Sequence, residues 1–204
     1  SVAVCHNWRC RLDDFRKICS DQLCAPDPLT PLQALFPGGL RSSSHQSETI
    51  EQTMERLPGG ARRLAVQLKS SIPAELFWDV LTDYAHLADF IPNLSSSELV
   101  MRDGETVRLQ QVGSQQLLGM RFSAQVLLEL REFKPDGVLR FQMLKGDFRR
   151  FEGSWQVRTL PEVSYLLYEL TVQGCLGMPI GLIEERLRDD LSSNLVAVER
   201  EALR

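Results

Sequence analysis

The chain has 204 residues, of which 43% are hydrophobic, and its formal net charge at pH 7 is −4. This length allows one domain of ordinary size plus an appendage. The acidic balance argues against nucleic-acid binding, because phosphate contacts need clustered Lys and Arg, and the basic residues here are dispersed. No apolar run approaches the roughly 20 residues that a bilayer-spanning helix needs. We therefore expect a globular protein whose membrane contact is at most transient.

The first 58 residues differ in composition from the rest, and we predict that they form an extension of a domain over residues 59–204. The spacing of Leu12, Phe15, Cys19 and Leu23 predicts a short amphipathic helix. The segments PDPLTP, FPGG and RSSSHQS are rich in Pro, Gly and Ser and are typical of a linker. The last part of the extension, SETIEQTMERL, is predicted to be another short helix that ends at Pro58.

Cysteines are concentrated in this extension, with the spacing C-x4-C-x8-C-x4-C from Cys5 to Cys24. Structural zinc sites usually show shorter spacings between paired cysteines, so we predict no metal site. A disulfide framework is typical of small secreted scaffolds, but this chain is not small and its first residues, SVAVCHNWRC, lack the apolar core expected of a secretory signal. Cysteine usage thus favours a reducing compartment, in which these thiols stay free.

The predicted domain begins with a strand at RRLAVQLKS, where Leu64, Val66 and Leu68 recur every second residue. A helix beginning at Pro73 follows, since Pro is favourable in a first helical turn. A second short helix is predicted over Tyr84–Phe90 and is stopped by Pro92. The helix that begins at Pro73 is predicted to bury Leu76, Phe77, Val80 and Leu81.

Period-2 segments fill the middle of the chain. Two strands are predicted around Ser95–Arg102 and Glu105–Gly113, joined by Asp103-Gly104, a hairpin signal. In the next strand the inward face is predicted to carry Met120, Phe122, Ala124, Val126, Leu128 and Leu130. The three further strands are predicted to place together Leu139, Phe141 and Met143, then Phe151, Gly153, Trp155 and Val157, and finally the apolar residues of 164–173. This order predicts a meander of antiparallel strands with one apolar face.

The last predicted element is a long amphipathic helix from Pro179 to the C-terminus. Its apolar stripe comprises Ile180, Ile183, Leu187, Leu191, Leu195 and Val198. The opposite face carries Glu185, Arg188, Asp189 and Glu199. A stripe sustained over this length predicts a helix that packs lengthwise against a curved sheet.

Three segments make the chain resemble the START-like (SRPBCC) superfamily. They are WDVLTDYAHLADFIPNL, GDFRRFEGSW and MPIGLIEERLRDDLSSNL, and with the strand order they cover about residues 60–204. Within that superfamily the chain is similar to the coenzyme Q-binding and polyketide cyclase/dehydrase-like branch of cyanobacteria and plastids. The resemblance implies an α+β helix-grip fold, in which a curved seven-stranded antiparallel sheet wraps around the C-terminal helix. It also implies an internal cavity for a lipid, isoprenoid or polyketide-like ligand.

Cavity residues follow from the predicted faces combined with this resemblance. We expect Phe90, Ile91 and Pro92 to form a loop at the cavity mouth. One wall would comprise Ile183, Leu187 and Leu191, with Asn194 as a polar group at its edge. The opposite wall would comprise Met120, Phe122, Phe141, Met143 and Trp155. Further polar candidates are Glu184 on the helix and Gln111 and Gln125 on the sheet.

Catalytic motifs are scarce, because the chain has no G-x-S-x-G elbow, no H-E-x-x-H and no phosphate-binding glycine loop. His86 is the only histidine of the predicted domain, in a segment typical of the surface. We expect binding and sequestration or transfer of a hydrophobic molecule, such as an isoprenoid quinone, with no cofactor and no catalytic residue assigned.

Two alternatives remain open: a cyclase or dehydratase for a polyketide-like or terpenoid substrate, and an interaction module with a filled core. The expected compartment is the cytoplasm, or the plastid stroma in a plant or alga. The oligomeric state is left open.

Overall fold

The computed structural model describes residues 50–117, 120–175 and 184–204, without the side chains of 115–117 and 120–122. The predicted N-terminal helix, the linker, the early cysteines, Ile180 and Ile183 lie outside these residues. The strands are β1 (Ile50–Arg56), β2 (Arg62–Ser70), β3 (Leu94–Asp103), β4 (Thr106–Leu117), β5 (Met120–Phe133), β6 (Val138–Gly146), β7 (Phe148–Leu160) and β8 (Val163–Gly174). The helices are α1 (Ala74–Thr82), α2 (Leu87–Phe90) and α3 (Glu184–Ala202).

All eight strands form one antiparallel sheet in the order β1-β2-β8-β7-β6-β5-β4-β3. The strands from β3 to β8 form consecutive hairpins, as the alternating segments and their turn residues predict. The last strand, β8, then pairs with β2, which adds β1 and β2 to the edge of the meander. The predicted α+β helix-grip architecture is confirmed, with eight strands instead of seven.

The additional strand is β1, and it corrects the prediction of a helix over SETIEQTMERL. Ile50, Gln52 and Met54 alternate with residues of the opposite face, and β1 pairs with β2 from Ile50↔Leu68 to Arg56↔Arg62. The Pro58–Gly60 segment is a 3-10 turn, in which Gly59 and Gly60 have φ of 73° and 80°. Glycine adopts such positive φ angles without steric cost, so this segment closes a hairpin.

One face of the sheet carries the core. Leu109 pairs with Leu128 across β4 and β5, and Leu130 pairs with Phe141 across β5 and β6. A further cross-strand row consists of Leu139, Trp155 and Tyr168, with Trp155 in the middle. Side chains alternate between the faces of a strand, so the predicted inward positions that the structure describes share this face.

The C-terminal helix α3 contacts β1, β2 and β8 of the sheet and the two short helices α1 and α2. Leu195 and Val198 are completely buried and Leu191 almost so, which confirms this part of the predicted stripe. Glu199 is also buried, so its prediction on the polar outward face is wrong. In α1, Phe77 and Leu81 are buried as predicted, whereas Leu76 is exposed.

Candidate ligand-binding site

A cavity of about 240 Å³ lies against the concave face of the sheet. Its walls come from β4 to β8, from α3, and from the segment that contains α1, α2 and the loop before β3. The lining residues are Leu81, Tyr84, Leu87, Ile91, Pro92, Asn93, Leu94, Leu109, Gln111, Gly113, Leu128, Leu130, Leu139, Phe141, Phe151, Trp155, Tyr168, Leu170, Leu187, Asp190, Leu191 and Asn194. Most are apolar, as is usual for small-molecule sites.

Aromatic rings form one wall of the cavity. Trp155 and Tyr168 are cross-strand partners whose rings stack with centroids 4.0 Å apart and planes 2° from parallel. Phe141 lies beside Tyr168, with a centroid distance of 6.0 Å. Burial raises the pKa of Tyr168, so its hydroxyl stays protonated at neutral pH. The wall is therefore apolar and uncharged.

The loop before β3 closes one side of the cavity and is attached to two other elements. Asn93 has φ of 62°, a left-handed conformation that Asn tolerates better than most residues. Its backbone oxygen accepts a hydrogen bond from Ser114 N at 2.8 Å, and its Nδ2 donates to Asp190 Oδ1 at 2.9 Å. Asn93 thus connects the loop to both β4 and α3.

Asp190 is the carboxylic acid among the described lining residues. Burial is the main cause that raises its pKa to about 6, and the neighbouring Asp189 adds to this effect. Arg186 and the hydrogen bond from Asn93 act in the opposite direction. The cavity therefore contains a carboxyl group that changes charge just below neutral pH.

Asn194 lies one turn further along the same face of α3. Its Oδ1 is buried and has no hydrogen-bond partner in the part of the chain that the structure describes. Gln111, on the sheet side, donates from Nε2 to Ser97 Oγ at 3.2 Å. No Lys, Arg or His occurs among the described lining residues. Besides the hydroxyls of Tyr84 and Tyr168, the lining has three amides and one acid. We call these four groups the polar end of the cavity: Asn93, Gln111, Asp190 and Asn194.

Tyr84 attaches the α1–α2 segment to the sheet. Its hydroxyl donates to Glu132 Oε1 at 2.6 Å, and the Arg102 guanidinium lies 5.5 Å from its ring centroid while pairing with Glu132 at 2.9 Å. Burial, followed by the hydrogen bond to Glu132, raises the pKa of Tyr84. These contacts hold the wall of the cavity that the segment provides.

The structure brings together many of the predicted site residues. Those that line the cavity are Ile91, Pro92, Phe141, Trp155, Leu187, Leu191 and Asn194, and the additional candidate Gln111 joins them. Phe90 and Met143 are partly buried and pack against the core without lining the cavity. The side chains of Met120 and Phe122, together with Ile183, lie outside the described residues.

Two polar candidates are directed elsewhere. Glu184 accepts hydrogen bonds from Arg62 and, at 2.9 Å, from Arg56, which attaches the first turn of α3 to β1 and β2. Gln125 lies on a strand position adjacent to the inward-facing Val126, so it belongs to the outer face. His86 is exposed and its Nδ1 lies 2.8 Å from Asp83 Oδ1, apart from the lining residues.

The sequence prediction missed Asp190 and Asn93. Helical spacing could have indicated Asp190, because it lies three residues after Leu187 and four before Asn194, on the predicted inward face. A charged residue is ordinarily assigned to solvent, and this rule outweighed the spacing. Asn93 follows Pro92 directly and could have been included in the predicted mouth.

Neither a metal-binding cluster nor a membrane-spanning helix occurs among the described residues. Within the ranges 50–117, 120–175 and 184–204, no group of three or more His, Cys, Asp or Glu side chains is arranged to hold a metal ion. In the same ranges, no helix is both long and apolar enough to cross a bilayer.

Comparison with known families fits this geometry. The family model described as polyketide cyclase / dehydrase and lipid transport matches residues 70–198, more than half of the chain. The chain therefore belongs to this family. No curated protein matches it in sequence.

Several solved structures share the fold. The protein TTHA0849 of Thermus thermophilus aligns with a TM-score of 0.61 at 22% identity, over 69% of this chain and 97% of its own. The Zhui aromatase/cyclase of Streptomyces sp. R1128 gives 0.61 at 18%, over 71% and 94%. A STAR-related lipid transfer protein of Xanthomonas axonopodis gives 0.65 at 14%, over 81% and 98%. At these identities the likeness extends to the fold alone.

Proposed function

We propose that the protein binds a hydrophobic small molecule in this cavity and sequesters or transfers it. The observation that carries the proposal is a space of about 240 Å³ lined mainly by Leu, Phe, Trp and Tyr side chains. Burial of apolar ligand surface in such a space contributes about 25 cal/mol per Å². The names of two structural relatives, a lipid transfer protein and an aromatase/cyclase, agree with an apolar ligand.

The volume limits the size of the ligand. Small-molecule pockets commonly measure about 300–1,000 Å³, so this cavity is small for its kind. An isoprenoid quinone of the coenzyme Q type is the ligand that we favour. Its ring and first isoprenoid units would occupy the cavity, and a long tail would leave past Pro92 and Leu94. Transfer would then involve a brief contact with a membrane surface.

A titration tests this proposal with benzoquinones that carry one or two isoprenoid units. The informative variant is Gly113→Leu, because Gly113 lines the cavity and a Cβ there would meet only Asn93 O at 3.6 Å. The larger side chain would occupy the cavity and lower affinity at least tenfold. Val112→Leu is the matched control, since it adds volume on the adjacent, outward-facing position of the same strand.

The measurement is isothermal titration calorimetry, combined with native mass spectrometry of the loaded protein. Stoichiometric binding by wild type and Val112→Leu, with loss in Gly113→Leu, would support the cavity as the binding site. Absence of binding to wild type, or equal affinity in both variants, would contradict it.

A cyclase or dehydratase is the second candidate, and Asp190 is the observation that favours it. A partly buried carboxyl with a pKa of about 6 is suited to proton transfer near neutral pH. This candidate requires turnover of a polyketide-like or terpenoid substrate that falls at least a hundredfold in Asp190→Asn while binding persists. Binding that responds to Asp190→Asn without any turnover would favour the carrier.

A further inference from the structure

The polar end of the cavity indicates which kind of ligand it accepts. Asn194 Oδ1 is a buried acceptor without a partner among the described residues. A buried acceptor that lacks a donor costs free energy, and a ligand that supplies the donor would recover it. Asn194 lines the cavity, and because the terminal torsion of Asn is broad, rotation of the amide can present this oxygen to a ligand.

The charges around the cavity exclude one class of ligand. The described lining residues include the Asp190 carboxyl and no Lys, Arg or His. A carboxylate or phosphate buried there would have no cationic partner in the described lining and would face the Asp190 carboxyl. Burial of an unpaired charge is strongly unfavourable.

We propose that the cavity selects an uncharged, mainly apolar molecule with a hydroxyl group, such as an alcohol, a phenol or a hydroquinone, and that this hydroxyl donates to Asn194 Oδ1. The inference depends on the proposed binding of a hydrophobic molecule in the same cavity. It sharpens that proposal, because a quinone has only acceptors whereas its reduced form has donors. The reduced form of a quinone should therefore bind more tightly than the oxidised form.

Three compounds that share a 4-butylphenyl group test this selection: 4-butylphenol, 4-butylanisole and 4-butylbenzoate. The phenol offers a donor, the methyl ether removes it, and the benzoate carries a charge at neutral pH. In wild type we expect the phenol to bind roughly tenfold more tightly than the ether, as one hydrogen bond to a buried acceptor allows. The benzoate should bind more weakly than either, by calorimetry at pH 7.5.

Asn194→Leu is the informative variant, because it removes the acceptor and keeps a side chain of similar size. It should lose the preference for the phenol, because the hydroxyl would then have no acceptor. Ser192→Ala is the matched control: Ser192 Oγ is likewise buried without a partner in the described part, on the same helix, but Ser192 does not line the cavity. This control should keep the preference of wild type for the phenol.

The outcomes separate this inference from the proposed function. If wild type binds phenol and ether equally, or prefers the benzoate, the inference is overturned while apolar binding stands. If Ser192→Ala loses the preference as well, Asn194 does not act as the specific acceptor. If wild type binds none of the three, nor the short-chain quinones, the proposed function fails and the inference fails with it. Should Asn194→Leu not fold, the wild-type series decides alone.

Discussion

The sheet has a packed half, which includes β1 and β2, and a cavity half, which includes β4 and β5. Both halves carry the same alternating apolar pattern but have different surroundings. In β2, Leu64, Val66 and Leu68 are buried in the half on which α3 packs. In the other half, the side chains of Leu109 and Leu128 are also buried, yet they border the cavity. The difference shows that the cavity arises from where α3 lies, because the strand patterns themselves do not distinguish a filled core from a space.

Each half is connected to α3 by different polar contacts. Glu184, at the start of the helix, pairs with Arg56 and Arg62 of the packed half. Asp190, two turns later, accepts from Asn93 in the loop on the cavity side. The first connection is ionic and well exposed to solvent at Arg56, whereas the second involves a partly buried acid. This contrast predicts opposite responses to pH.

Leucine truncation should show the largest difference between the halves. Leu195→Ala removes a completely buried side chain from the packed interface of α3 and should lower the free energy of unfolding by about 4 kcal/mol. Leu128→Ala removes a side chain that already borders the cavity, so it loses fewer contacts and should cost about 2 kcal/mol. Urea denaturation measures both values. Equal losses would contradict the distinction between the halves.

Glycine substitution gives the next contrast. A Cβ on Gly153 would overlap the backbone oxygen of Glu169 and come within 2.7 Å of Phe141 Cζ, so Gly153→Ala should cost about 3 kcal/mol. Gly153 lies between the cavity-lining Phe141 and Leu170 in its cross-strand row, so this contrast concerns local space within the cavity half. Gly113→Ala makes only an ordinary contact and should change stability by less than about 0.5 kcal/mol. Thermal denaturation of both variants checks this prediction. A mild Gly153→Ala would show that β7 and β8 can separate slightly.

Much of the sheet could be predicted because local alternation and turn residues agree from β3 to β8. Residues 50–56 could not, because Ile50, Met54 and Leu57 have helical spacing while Ile50, Gln52 and Met54 also have strand spacing. Only the pairing with β2 distinguishes the two, and that pairing is a long-range contact. Short amphipathic segments are therefore assigned by their neighbours as much as by their own pattern.

The site was predictable where apolar residues occupy an inward face, as Phe141, Trp155 and Leu191 do. The polar residues of the site were less predictable. Asp190 lies on the inward face of α3 by spacing, but its hydrogen-bond partner Asn93 is distant in sequence. Burial, the main cause of the shifted pKa of this acid, is a tertiary effect that no local pattern contains.

Asp190→Asn tests the cavity side of the pH contrast. The pKa of Asp190 in the folded protein, about 6, lies above its ordinary value near 4. The folded state thus binds the proton more tightly, and ionisation of Asp190 destabilises the fold as pH rises from about 4 to about 6. Asp190→Asn keeps an acceptor for Asn93 and should raise Tm more at pH 7 than at pH 4.5. An equal change in Tm at both values would contradict this, and Glu185→Gln, at an exposed acid of the same helix that does not contribute to the Asp190 shift, is the control.

Glu184→Gln should show the smaller effect, with the opposite sign. Hydrogen bonds from Arg56 and then Arg62 lower the pKa of Glu184, so its contribution to stability is present above its ordinary pKa and is lost as pH falls through the folded value. The variant should lower Tm at pH 7, and this deficit should shrink toward pH 3. Arg62→Gln should lower Tm more than Arg56→Gln, because the Arg62 side chain is 13% exposed and that of Arg56 is 71% exposed. If the Glu184→Gln deficit grew on acidification, the ion pairs would not be what holds α3 to the packed half.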